Sequence, residues 1–202
     1  MSMAMMIDLE TLDTLPTAKV FSGAYAFFDD ETGRIDQIQE MHIDVGIQDY
    51  ATISPKTVAW HIRKNIDLTA AILAGEDSYK DEHGIEHPLV IGRMEDFLLS
   101  MQRDMERFDV SKLETWSHGA SFDLPLITFH SFYTMGSSLI DFRNHRDTRT
   151  RFKDAEFFGF RPKTGSELSL KAHIAKNDVK IQIHNVVEAQ RIMRAAKTMR
   201  RD

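Results

Sequence analysis

The chain has 202 residues, a formal net charge of −6, 42% hydrophobic residues and no cysteine. That length allows one sizeable domain with its own core, spanning residues 1–202, and the missing cysteines exclude disulfides and thiolate metal sites, as a reducing cytoplasm would favour. No run approaches the roughly 20 apolar residues of a membrane span, no basic segment of a signal peptide precedes the Met-rich N-terminal run, and an acidic chain can meet nucleic acid only through local or cation-borne attraction.

The first informative stretch is Ala4-Met5-Met6-Ile7-Asp8-Leu9-Glu10-Thr11. It reads as a strand, and side chains alternate across a strand, so Asp8 and Glu10 share a face. Two neighbouring carboxylates stay ionised most readily with a divalent cation between them. The alternative is a pair of solvated acids on an exposed strand. Ala18 to Phe28 reads as a second strand, buried on both faces. After the turn Asp29-Asp30-Glu31-Thr32-Gly33, Arg34 to Val45 alternates as a third, antiparallel strand.

Gly46 to Ile53 is expected to be loop. Ser54-Pro55 opens a helix toward Ile66, and Leu68 to Ala74 forms another. Gly75 to Pro88 is polar and reads as a surface loop in which His83 and His87 have no standard metal spacing. Met94 to Phe108 places Phe97, Leu98, Met101, Met105 and Phe108 on one helical stripe. Lys112 to Ser117 is a short strand that Gly119 breaks, and Ser121 to Tyr133 a helix with Asp123 in its first turn. That aspartate is either a dipole partner or a site residue behind a Gly-containing loop open to close approach. Asp141 to Lys153 is basic. Its Arg143, Arg146, Arg149, Arg151 and Lys153 pair with nearby acids or contact a phosphate backbone. Phe157 to Gly165 is expected to be loop, Leu168 to Ala175 a short helix, and His184 to Arg201 the last helix. Strands followed by helices interleaved with further strands predict a mixed α/β sheet.

Several of these residues carry a family resemblance. Asp8-x-Glu10 followed by Gly119-x-x-Phe122-Asp123-x-Pro125 resembles the first two motifs of the DnaQ-like (DEDDh) 3′-5′ exonucleases. Asn144-His145-Arg146-Asp147-Thr148-Arg149-Thr150 and Thr57-Val58-Ala59-Trp60 resemble segments of the phage exonuclease A (DexA) subfamily. In the histidine-type members the third motif is His-x4-Asp. The candidate is His184-Asn185-Val186-Val187-Glu188-Ala189, which departs from it: Ala189 stands where the fourth acid belongs, and Glu188 is the nearest carboxylate.

The resemblance implies a ribonuclease-H-like fold, a mixed five-stranded sheet with helices on both sides. It implies a 3′-5′ exonuclease that frees nucleoside monophosphates from single-stranded DNA or RNA 3′ ends, DNA being slightly preferred. Asp8, Glu10, Asp123 and Glu188 would hold two Mg²⁺ or Mn²⁺ ions, and His184 would act as general base. Thr11, Leu12, Gly119, Phe122, Arg146 and Arg149 would bind substrate. A phage protein in the host cytoplasm is the implied setting, with a homodimer left open. The departure at Glu188/Ala189 keeps a second reading alongside, a weakened homologue that binds single-stranded ends without efficient cleavage.

Overall fold

The structure is a computed structural model that describes residues 2–81 and 83–199, Met199 by its backbone alone. Three long strands open it: β1 (Met3–Thr11), β2 (Val20–Asp29) and β3 (Ile35–Ile43). They pair antiparallel in a meander. The turn between β2 and β3 is fixed by Asp29, whose Oδ1 accepts hydrogen bonds from the Glu31 and Thr32 N–H groups. Helices α1 (Pro55–Lys64) and α2 (Ile66–Ala74) follow.

Residues Gly75 to Pro88 are not all loop. Strands β4 (Ser78–Lys80) and β5 (Glu86–Pro88) form a small separate hairpin. Three-residue strands are too short to show alternation. The connecting turn is closed by Asp81, whose Oδ1 accepts from the His83 and Ile85 N–H groups. Next come β6 (Ile91–Gly92), α3 (Met94–Met105), β7 (Glu114–Ser117), α4 (Asp123–Met135), β8 (His145–Asp147), α5 (Thr148–Glu156) and α6 (Ala175–Met199).

The main sheet has six strands in the order β6-β3-β2-β1-β7-β8, with the pairs β3–β6, β1–β7 and β7–β8 parallel. The sixth strand is the two-residue β6, too short for any sequence pattern to mark. Alternation along β1 sorts the core. Met5, Ile7 and Leu9 pack with residues of α3 and α4 on one face, and Ala4 and Met6 with residues of α5 and α6 on the other. β2 is buried along its whole length. Its Gly23 lets Leu9 and Phe97 meet over the sheet, since a Cβ there would lie 2.9 Å from Leu9 Cδ2 and 3.0 Å from Phe97 Cζ.

The C-terminal part differs most from expectation. Leu168 to Ala175 is not a helix. A 3-10 turn covers Ser166–Leu168, and the chain then runs irregularly, with Ser169 and His173 at φ 57° and 61°. The last helix starts at Ala175, not at His184. Its expected end at 200–201 lies outside the described residues. Among the described residues, no helix is long and apolar enough to cross a membrane.

Candidate active site

Asp8 and Glu10 follow Ala4 and Met6 on the α6 side of β1, opposite the small residues Ala24 and Ser22 of β2. β7 runs parallel to β1, so both strands end at the same edge of the sheet. The turn after β7 delivers Asp123 there as the first residue of α4. Its Oδ1 accepts the Leu9 N–H at 3.3 Å, which ties α4 to the strand carrying the first two acids.

The fourth acid at this edge is Asp178, in the first turn of α6. Its Oδ2 accepts the backbone N–H of His173 at 2.9 Å. Ligand atoms of Glu10, His173 and Asp178 lie within 4.8 Å of one another. His173 holds a left-handed backbone that a non-glycine residue adopts at a cost. Trp60 of α1 meets its ring edge-on at 4.8 Å. Gln182, one turn past Asp178, donates from Nε2 to Asp8 Oδ1 at 2.7 Å, while its Oε1 is buried without a partner. All five of these site residues and Gln182 line one cavity of about 400 Å³.

The acids strain one another. Burial, then repulsion from Glu10, Asp123 and Asp178, pushes Asp8 well above the usual carboxylate range. Burial pushes Glu10 up to about 8, with Asp178 and Asp123 adding to it. Burial pushes Asp123 up to about 7, against the Leu9 N–H and Arg149, and Asp178 up to about 6. His61 lies 3.6 Å from Glu10 but cannot neutralise it, because burial drives that imidazole down to about 4. Burial and the charge of Lys64 hold His173 below its ordinary value, so it is neutral near pH 7. A cluster of hard oxygen donors short of positive charge fits Mg²⁺ or Mn²⁺ well.

This predicts a linkage with a definite sign. The folded carboxylates keep protons that the unfolded chain releases near pH 4. Stability of the metal-free protein therefore falls as pH rises from about 4 through about 8. Thermal unfolding followed by circular dichroism is expected to show a melting temperature that drops from pH 5 to pH 8.5. The increment from saturating Mn²⁺ should grow over the same range. A pH-independent increment would contradict the assignment.

The structure gathers only part of the sequence-predicted set. Asp8, Glu10, Asp123, Phe122 and Arg149 line the cavity. Thr11 lines an adjoining cavity of about 440 Å³ that shares Leu9, Glu10 and Phe122 with the first and contains Trp60. Gly119, at φ 102°, lies against Arg149, whose guanidinium carbon a Cβ would approach to 3.3 Å.

Four residues lie elsewhere. Glu188 comes ten residues after Asp178, about 15 Å further along the helix axis. It pairs there with Arg191 at 2.7 Å. His184 is not among the cavity residues, and its Nε2 is buried without a partner. Leu12 follows the end of β1, beyond the reach of the strand's alternation, and is fully buried with Phe21, Leu68 and Ile72. Arg146 sits on the edge strand β8 and pairs with Glu114 at 2.9 Å. His173, Asp178 and Gln182 are the residues that sequence reasoning missed.

The model of the Rv2179c-like 3′-5′ exoribonuclease domain matches residues 3–190. Among solved structures, an exonuclease I is similar with a TM-score of 0.64 at 15% identity, over 98% of this chain and 44% of that one. Escherichia coli exonuclease I in complex with a 5cy-dA13 oligonucleotide gives 0.61 at 11% identity, over 98% and 43%. The zinc-bound form of the E. coli exonuclease I–ssDNA complex gives 0.58 at 13%, over 98% and 41%. The chain spans less than half the length of each of these. No curated protein matches it. At such identities the likeness is one of fold, a ribonuclease-H-like fold, with six strands where five were expected.

Proposed function

The chain belongs to the Rv2179c-like 3′-5′ exoribonuclease domain family, and from that premise we propose a divalent-metal-dependent 3′-5′ exonuclease acting on single-stranded nucleic acid, RNA in preference to DNA. The matched family is this one, and the likeness to phage exonuclease A stays one of motifs. One observation supports the reading above all: Asp8, Glu10, Asp123, Asp178 and His173 line one cavity. His173 and Asp178 also stand in the His-x4-Asp spacing of the histidine-type members. The reading of an attenuated homologue rested on Ala189, and the presence of Asp178 in the cavity favours the active enzyme over it. The RNA preference follows the family description over the DNA-bound neighbours, which share only a fold.

The four acids would hold the ions, two in number by the resemblance. When bound, the ions offset charge on the phosphorus oxygens and on the leaving 3′-oxygen, and acidify the attacking water. The chain's own residues do the rest. His173, neutral near pH 7 and steadied by Trp60, takes the proton of the attacking water on its free ring nitrogen. The water oxygen bonds to phosphorus, the bond to the penultimate 3′-oxygen breaks, and that oxygen is protonated, releasing a nucleoside 5′-monophosphate. Gln182 fixes Asp8, and the Leu9 N–H fixes Asp123. Phe122 stands between the two cavities, and the one containing Trp60 and Thr11 receives the terminal nucleoside.

The test uses 5′-labelled single-stranded RNA and DNA of one sequence with Mn²⁺. RNA is expected to shorten from its 3′ end faster than DNA, and Asp8→Ala to abolish both reactions. Faster trimming of DNA would overturn the substrate preference. Cleavage of neither by the parent would overturn the enzymatic reading.

A further inference from the structure

The basic residues from Arg143 to Lys163 differ in what they face. Arg143, Arg146, Lys153 and Arg161 are each paired with a carboxylate. Arg151 lies over the Trp116 ring. Among the described residues, Arg149 and Lys163 form no ion pair, and both line the acidic cavity. An unpaired cation at the edge of an acid-lined site is placed for a ligand that is itself anionic.

Lys163 is also held there by a dedicated device. Asn185, 4% exposed on α6, spends both ends of its amide on the backbone of that one residue. Its Oδ1 accepts the Lys163 N–H at 2.8 Å, and its Nδ2 donates to the Lys163 carbonyl at 2.9 Å. The segment carrying Lys163 has no regular secondary structure, yet it is braced a second time. Glu167 accepts from Arg161 and from the backbone and hydroxyl of Thr164. Where the segment enters the 3-10 turn, Gly165 admits the Leu170 carbonyl, which a Cβ would meet at 2.5 Å. The influences that dominate Asp8, Glu10, Asp123 and Asp178 are burial, mutual repulsion and local hydrogen bonds, not Lys163. Arg191, far more than Lys163, holds Glu188 below its ordinary value.

We propose that Lys163, latched by Asn185, grips a backbone phosphate of the single-stranded substrate from the α6 side of the cavity, while Arg149 reaches it from α5. Asn185 is then a positioning residue acting through Lys163. The inference rests on the exonuclease reading and explains how a chain of net charge −6 attracts a polyanion.

The experiment measures anisotropy of a labelled single-stranded RNA oligonucleotide over a salt series, with Ca²⁺ in place of Mn²⁺. Losing one phosphate contact on a single strand lowers the slope of log K against log salt by about 0.7. Lys163→Met is therefore expected to bind about eightfold more weakly at 50 mM salt, the difference such a slope change accumulates from 1 M. Lys163→Arg should recover most of this. Asn185→Leu should shift the slope in the same direction and have no further effect on it in the Lys163→Met background. Mn²⁺ binding by Lys163→Met should match that of the parent. Parent-like slope and affinity in Lys163→Met would overturn the proposal, as would lost affinity with an unchanged slope, since that marks a merely structural role. If Asn185→Leu does not fold, the two Lys163 variants decide the matter. A parent that binds no oligonucleotide sinks the exonuclease reading as well. A parent that binds, with Lys163→Met indistinguishable from it, sinks only the grip.

Discussion

Asp178→Asn lowers the rate of 3′-end trimming by about 10²–10³-fold, the scale on which removal of a single charge-stabilising group slows other enzymes, whereas Glu188→Gln leaves it unchanged. The two residues lie on one helix and differ in what surrounds them. Asp178 shares the cavity with three other acids and a neutral histidine. Glu188 is chelated at the surface by the Nε and terminal nitrogen of Arg191, at 2.9 and 2.7 Å. The asparagine keeps an oxygen that can accept the His173 N–H, so the start of α6 survives the change. What disappears is one negative charge, and with it part of the affinity for the cation. Metal-free Asp178→Asn should even melt higher than the parent at pH 8, because repulsion on Glu10 and Asp8 is relieved. Gel resolution of labelled products under single-turnover conditions reads the rate. Equal loss in both variants, or loss in Glu188→Gln alone, would refute the assignment.

His173→Gly is expected to lower kcat by about 10²–10⁴-fold, the usual contribution of a positioned general base, while Mn²⁺ still binds. Glycine suits the site's backbone, since φ 61° is unstrained without a Cβ. Loss of activity in a protein at least as stable as the parent then reports on the imidazole itself. Free imidazole should restore part of the rate, through the space beside Trp60 that the ring vacates. The restored rate should rise with pH as the added imidazole becomes neutral, with a midpoint near its own pKa. The parent's corresponding limb should lie lower, because burial and Lys64 depress His173. Full activity of His173→Gly without imidazole would remove the base from the mechanism.

The front of the fold was legible because its signals are local. Apolar runs of strand length, a turn rich in Asp and Gly, and the Asp8/Glu10 spacing each fit within about ten residues, so β1, β2 and β3 could be drawn from pattern alone. Asp123 was legible because a helix begins where a short strand and a glycine turn have just ended. The back of the site was misread at one boundary. Starting the last helix at His184 made His184-x3-Glu188 look like a degraded third motif. The buried series Ala175, Val179, Ile183, Val186 and Ala189 runs at helical spacing from Ala175 onward and was the signal to extend the helix backwards. His173-x4-Asp178 then straddles its start, where Asp178 accepts the His173 N–H. On the proposed reading the spacing was present in the letters and lay under the helix wrongly expected over Leu168 to Ala175. Leu12 was misplaced because β1 ends at Thr11, and past a strand's end alternation no longer fixes which way a side chain points. Arg146 and Arg149, three apart in one basic run, separate only in three dimensions. One faces Glu114 on a sheet edge, and the other faces the cavity.

The central claim is that Asp8, Glu10, Asp123 and Asp178 jointly hold the divalent cation. Its most direct test is a Mn²⁺ titration at pH 8, with free ion followed by electron paramagnetic resonance, on the parent, Asp178→Asn and Glu188→Gln. The parent and Glu188→Gln are expected to bind Mn²⁺ equally strongly, and Asp178→Asn markedly more weakly. Binding that weakens in Glu188→Gln and is untouched in Asp178→Asn would contradict the claim.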